Sequence, residues 1–258
     1  MSEAAPLRSH LSLPPKRGVR GWADALLAIL LAPACAACRR PLDQPTSGPV
    51  CRNCWGGIVP ITPPVCGSCG DPLPTWRTHS IECGRCPRCR RRAGRPIPTR
   101  AIGTYDGTLR AIVHALKYDG RRSVGRPLAA LLATRGADLL AGAAIVVPVP
   151  LHRSRQRVRG FNQASESARH LGPPLVHALR RTRATPSQTD LPAGERHANV
   201  RDAFALSRHA RVNGMVVVLV DDVSTTGATL EACARVLYEA GASDVRALTA
   251  ARVVSRAR

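Results

Sequence analysis

Residues 215–230, MVVVLVDDVSTTGATL, decide the fold of this 258-residue chain. Val216 to Val220 is an unbroken aliphatic run, the pattern of a strand buried on both faces. Asp221 and Asp222 follow at its carboxyl end, where open α/β sheets place their ligands. Ser224, Thr225, Thr226, Gly227, Ala228 and Thr229 then supply hydroxyls, small side chains and one glycine ahead of a helix expected through Leu230 to about Ala240. Such a turn lets backbone N–H groups and the positive end of a helix converge on a phosphate. Paired acids beside a phosphate turn ask for a ligand that carries both hydroxyls and phosphate.

Single acids at strand ends and lone Thr-Gly pairs commonly serve only as helix caps. Here the pieces occur together, and no GxxxxGK[ST] loop and no GxGxxG after a strand is present to suggest another nucleotide site. The string resembles the phosphoribosyl pyrophosphate (PRPP) motif of type I phosphoribosyltransferases, which combines a hydrophobic strand, two acids and a Thr/Gly phosphate loop.

Working outward, Ala101–Tyr105 reads as a short strand. Leu109, Ile112, Val113 and Leu116 give the i, i+3, i+4, i+7 stripe of an amphipathic helix over 107–118, and a second helix is expected from about Val124 to Leu140. Ala144–Pro150 is a strand that runs into a constrained turn, because Pro148 and Pro150 cannot donate ladder bonds. The turn after it carries Arg153, Arg155, Arg157 and Arg159 before a helix reaching about His170. Guanidinium forks match phosphate oxygens, so this turn is a candidate pyrophosphate receptor, with a solvated basic loop as the plainer reading. A last strand covers Asp244–Thr249.

The amino-terminal third has a different chemistry. Nine of the ten cysteines lie between Cys35 and Cys89, and eight of these form the pairs Cys35/Cys38, Cys51/Cys54, Cys66/Cys69 and Cys83/Cys86. Each CxxC is a knuckle that offers two thiolates to one ion, and two knuckles close a tetrahedral site, so four imply two structural zincs. Sequential pairing is the simplest arrangement, and Cys89 could replace Cys83 or Cys86, with His79 a weaker substitute. Clustered knuckles argue for metal in a reducing compartment rather than a disulfide framework, which places the protein in the cytoplasm.

Residues 1–21 read as a disordered amino terminus, 22–90 as a helix plus double zinc ribbon, 91–100 as an Arg/Pro linker and 101–258 as the domain that resembles a phosphoribosyltransferase. The apolar run at 22–32 contains Asp24 and is too short to span a bilayer. It is expected to pack its leucine face on the zinc module.

The formal charge is +21, shared almost evenly between residues 1–100, with 15 basic and 5 acidic side chains, and residues 101–258, with 23 and 12. That excess favours anionic partners. Only Lys16 and Lys117 are lysines against 36 arginines, a bias that weakens charge alone as a sign of DNA binding.

Together the knuckles, Tyr105-Asp106-Gly107, Leu116-Lys117-Tyr118, Val147-Pro-Val-Pro-Leu-His152, Arg159-Gly-Phe-Asn-Gln163 and Val220-Asp-Asp-Val-Ser-Thr-Thr-Gly-Ala-Thr229 resemble the ComF family over roughly 26–252. The segment 185–204 fits that family's pattern at Gln188, Thr189, Leu191, Arg196, Asn199, Val200 and Phe204. The resemblance implies a type I phosphoribosyltransferase fold, a mainly parallel sheet flanked by helices, behind an amino-terminal zinc ribbon.

It further implies that Asp221 and Asp222 act at the ribose and that 224–229 hold the phosphate. His152, Arg155, Arg159 and the lid residue Arg196 would take pyrophosphate with Mg²⁺. A role in DNA uptake during natural transformation, with single-stranded DNA and uptake or helicase-type proteins as partners, is the alternative. The sequence names neither the acceptor nor a general base, and the number of subunits is open.

Overall fold

The computed structural model describes residues 19–73, 84–92, 94–183, 200 and 202–254. Helix α1 spans Val19–Leu31, α2 Arg52–Gly56 and α3 Pro87–Arg90. Strand β1 (Thr99–Thr104) leads into α4 (Gly107–Lys117), α5 (Gly125–Arg135) and α6 (Ala137–Leu140), then β2 (Ile145–Pro148). Helices α7 (Arg153–Arg159) and α8 (Gln163–Ala168) precede β3 (Leu179–Arg181) and β4 (Phe204–Leu206). Strand β5 (Val216–Ser224), α9 (Ala228–Glu239) and β6 (Asp244–Arg252) complete the chain.

Four strands form one all-parallel sheet in the order β1-β6-β5-β2, while β3 and β4 make a separate antiparallel pair. The aliphatic run explains why β5 is central. Val218 and Val220 point into the cluster built by Leu109, Ile112, Leu116, Leu128 and Leu132 of α4 and α5. Val217 and Leu219 point into the opposite cluster with Leu230, Cys233 and Leu237 of α9. Side chains alternate across the strand, so covering both faces requires an apolar residue at every position.

Several expectations shift. The sequence places the acids after the strand, yet β5 and β6 pair as far as Ser224 and Arg252, so Asp221 and Asp222 lie within paired strand. Gly136 ends α5 and divides the long helix expected over 124–140. The arginine-rich turn is itself helical: His152 caps its start by accepting from the Ser154 N–H at 3.3 Å, and Gly160, at φ 74°, stops it. Alternation of arginine with polar residues hides a helix of only seven residues, because no apolar stripe marks it.

Helix α1 also departs from expectation. Its Leu26 and Ile29 are 59% and 81% exposed, and among its described side chains the buried one is Asp24, which accepts from the Thr46 N–H at 2.8 Å. A backbone donor captured by a carboxylate, rather than a leucine face, fixes this helix to the module. No helix among the described residues is long and apolar enough to cross a membrane.

Candidate functional site

The cysteine-bearing segment gathers its thiols into two buried or half-buried groups, Cys35/Cys38/Cys51/Cys54 and Cys66/Cys69/Cys86/Cys89, each with all sulfurs within 4.8 Å of one another. Sulfur separations within the groups include 3.8 Å (Cys35–Cys54), 3.9 Å (Cys38–Cys51) and 3.7 Å (Cys69–Cys86). A tetrahedron with metal–sulfur bonds of about 2.3 Å has edges of about 3.8 Å. Both donor sets therefore fit zinc, and the chain carries two tetracysteine sites.

The first group follows the sequential pairing. In the second, Cys89 completes the set, the substitution left open by its spacing, while Cys83 and His79 lie outside the described residues. Cys86 and Cys89 flank the start of α3, whose single turn turns both sulfurs to one side. The thiols already polarise one another: hydrogen bonds from Cys69 and Cys89 hold Cys66 well below the ordinary thiol range, and the same contact pushes Cys69 far above it.

The second constellation lies along the carboxyl-terminal part of β5 and past the end of β2. A cleft of about 400 Å³ is lined by Asp221, Asp222, Thr225 and Thr229, and by Tyr105, Lys117, Arg155, Arg159 and Arg181. Arg110 adds a fifth strong cation, so five face two carboxylates. Asp222 pairs with Lys117 at 2.8 Å, with side-chain exposures of 15% and 13%. Burial opposes the Lys117 ammonium, but Asp222, then Asp221 and Tyr105, outweigh it and raise its pKa above the ordinary lysine value.

Asp221 is held differently. Burial and the adjacent Asp222 charge push it up to about 7, against the Asp222 N–H, Lys117 and Arg181, which favour its ionised form. Its Oδ1 accepts that N–H at 2.8 Å. Two adjacent acids thus sit in unlike environments, one paired with a cation and one poised near neutrality.

The predicted site residues divide. Asp221, Asp222, Thr225, Thr229, Arg155 and Arg159 line the same cleft. Arg159 reaches over the Tyr118 ring at 5.1 Å and donates to Gln163 at 3.2 Å. Ser224, Thr226 and Gly227 instead line a cavity of about 370 Å³ on the other side of the turn, and Ala228 is buried in the core. His152 faces its own helix, with Nδ1 2.8 Å from the Ser154 hydroxyl, and does not line the cleft. Arg196 lies outside the described residues, as does most of the expected lid.

Gly227 takes φ 84° directly before α9, a conformation that suits glycine and turns the loop into the helix. Asn162 couples the neighbouring wall to the sheet: its amide donates to the Val149 carbonyl at 2.9 Å while its Oδ1 caps α8 through the Ala164 N–H at 3.0 Å. Lys117 and Arg181 line the cleft but are absent from the sequence-based candidates. Lys117 left a signal, as one of two lysines in an arginine-dominated chain standing at the end of the α4 stripe. Arg181 left none, because it arrives from a short strand of the separate hairpin.

Comparison with known proteins matches both parts of the chain to known domains. Residues 26–90 match the double zinc ribbon domain and residues 157–257 the phosphoribosyl transferase domain. Competence protein F of Haemophilus influenzae is 31% identical over 230 residues, covering 84% of this chain and 96% of that protein. DNA utilization protein YhgH of Escherichia coli K12 is 33% identical over 228 residues, 82% of this chain and 93% of the relative. Competence protein ComFC of Bacillus subtilis is 29% identical over 208 residues, 79% and 84% respectively. With such identity over most of its length, two tetracysteine sites and a phosphoribosyltransferase-type cleft, the chain belongs to the ComF family.

Proposed function

We propose that the cleft binds PRPP and supports displacement of its pyrophosphate by an acceptor. The observation that carries this reading is the meeting of Asp221 and Asp222 with Thr225, Thr229 and five cations in one cleft at the carboxyl end of the central parallel strand. Thr225, Thr229 and the start of α9 offer hydroxyl and N–H donors for the 5-phosphate. Asp221 and Asp222 accept from the ribose hydroxyls, and their charge favours the positive character that develops at C1 as the pyrophosphate bond lengthens. Arg155 and Arg159 of α7, with Arg181 opposite, receive the departing pyrophosphate.

Lys117 holds Asp222 in a 2.8 Å ion pair, so this carboxylate is oriented in advance. The oxygen-rich ligand set suits Mg²⁺, which binds through phosphates and one or two carboxylates and would neutralise the leaving charge. Arg196 is assigned to the lid over this group, and the module boundaries at 90 and 101 to the joint between zinc ribbon and transferase domain.

Isothermal titration with PRPP and Mg²⁺ tests the site. Wild type should give saturable heat and the Asp221→Asn/Asp222→Asn variant none; equal heat in both would remove the acids from the site. A screen of acceptors for pyrophosphate release then separates catalysis from binding.

A second reading is favoured by the +21 charge and by relatives named for competence and DNA utilization. In it the protein handles single-stranded DNA through phosphate contacts. Affinity should then fall steeply with salt. A flat response between low and physiological salt would refute it.

A further inference from the structure

The second tetracysteine site is joined to the phosphate turn by a buried chain of polar contacts. Asp71 stands two residues beyond Cys69, and its carbonyl accepts from the Cys66 N–H at 2.8 Å. Its carboxylate receives Arg88, which lies between Cys86 and Cys89, at 3.1 Å, and Arg252 Nε at 2.5 Å. Arg252 Nη1 in turn donates to the Ser224 hydroxyl at 3.2 Å. Ser224 and Arg252 are register partners at the ends of β5 and β6, and the Ser224 carbonyl accepts from the Val253 N–H at 2.9 Å.

Exposure shows how much depends on this chain. Arg252 is 1% exposed, Ser224 3% and Asp71 9%. A guanidinium taken out of water needs its carboxylate, and Asp71 is the acid bonded to this one. The knuckle can supply Asp71 only because Gly70, at φ +71°, lies so close to β1 that a Cβ there would stand 2.6 Å from the Thr99 carbonyl oxygen. Arg92 adds a parallel contact, donating to the Thr226 carbonyl at 3.2 Å and pairing with Glu231. The first site has no comparable connection among the described residues: its neighbouring ion pair, Arg39–Asp119, is 68% and 36% exposed and is screened by water.

We propose that Asp71 and Arg252 are positioning residues through which the second tetracysteine site, and not the first, sets the geometry of the turn at 224–227. Their effect on ligand affinity rests on the PRPP reading above, whereas the coupling itself does not. Zinc at the second site would hold the Cys66–Gly70 knuckle, and Asp71 transmits that order to Ser224.

Hydrogen exchange on the full, zinc-loaded chain tests the coupling without any ligand. The reporters are the Glu231 N–H, held by the Gly227 carbonyl at 2.9 Å, and the Val253 N–H, held by Ser224. In Asp71→Asn both should exchange at least tenfold faster, with two zincs retained and β2 unchanged. Asp119→Asn, at the first site, should leave both reporters at wild-type rates.

Ser224→Ala removes only the far end of the chain; it should accelerate the same two amides, and the double variant should add less than the sum of the singles. Unchanged reporters in both single variants, or equal acceleration in β2, would overturn the proposal. PRPP titration is run in parallel. Heat in wild type with a roughly tenfold weaker Kd in Asp71→Asn is the expected result, and an unchanged Kd would limit Asp71 to a local role. No heat in wild type would refute the PRPP reading while the exchange result still decides the coupling.

Discussion

Asp221→Asn should make the unliganded protein more stable, and increasingly so as the pH rises. The carboxyl is buried beside a second acid, and its pKa lies at about 7 in the folded chain against 3.8 when unperturbed. A folded pKa above the unfolded one means that the native state binds the proton more tightly, so stability falls as pH rises between those values. At 1.36 kcal/mol per unit, the cost of holding Asp221 in its site is about 1.7 kcal/mol at pH 5 and about 4.3 kcal/mol at pH 8.

Asparagine keeps the shape and carries no charge to desolvate. The stability difference between variant and wild type should therefore grow by about 2.6 kcal/mol from pH 5 to pH 8. Urea unfolding of both proteins at the two pH values, with equal zinc, measures it, and any pH dependence of the metal sites cancels in the comparison. A difference that stays constant with pH would show that Asp221 is not held near neutrality and would remove the physical basis for treating the two acids as unlike partners. The gain in stability with loss of PRPP heat is the signature of a group kept in place for function rather than for folding.

Other outcomes follow from particular contacts. Cys89→Ser should lower bound zinc from two ions per chain to one, while Cys83→Ser keeps two, as read by metal analysis. Lys117→Met leaves Asp222 without its cation and should cost about 3 kcal/mol in urea unfolding, since breaking a buried pair strands the remaining charge. Gly103→Ala places a Cβ 2.3 Å from the Val59 carbonyl oxygen and should destabilise by about 2 kcal/mol, checked by the same method, because backbone on both sides leaves little room to relax.

Much of this was legible in the sequence because it rests on local rules. The run from Val216 to Val220 is wholly aliphatic and buries Val217 to Val220 on alternating faces, as a central strand covered on both sides requires, and Leu109, Ile112, Val113 and Leu116 repeat at helical spacing. CxxC spacing brings two sulfurs together through one tight turn, so the existence of two metal sites needed no tertiary information. Their membership did: Cys83 and Cys89 stand equally far from Cys86, and only the short helix α3 distinguishes them.

The site was half legible for a similar reason. Asp221, Asp222, Thr225 and Thr229 come from one continuous stretch, whereas Lys117 and Arg181 reach the cleft from α4 and β3. Ser224 and Thr226 look interchangeable with Thr225 in the sequence, yet the strand's alternation sends Ser224 inward to Arg252. The helix at 153–159 was missed because four arginines in seven residues mimic a loop, while its caps at His152 and Gly160 act through side-chain and backbone geometry.

The zinc module also determines what the sheet can do with its open side. Strand β1 is an outer strand of the sheet, bonded to β6 on one side. On its other side, the Thr104 N–H donates to the Val59 carbonyl at 3.1 Å, and Pro60 bridges to Gly103. An uncovered row of backbone donors and acceptors is a template for joining strands from another molecule. In this chain the carboxyl end of that row, at Gly103 and Thr104, is capped by a segment that lies between the two cysteine groups in sequence, and Pro60 can lend no N–H to extend the ladder outward. The cysteine groups thus bracket, along the chain, the segment that caps the outer edge of a parallel sheet at Gly103 and Thr104.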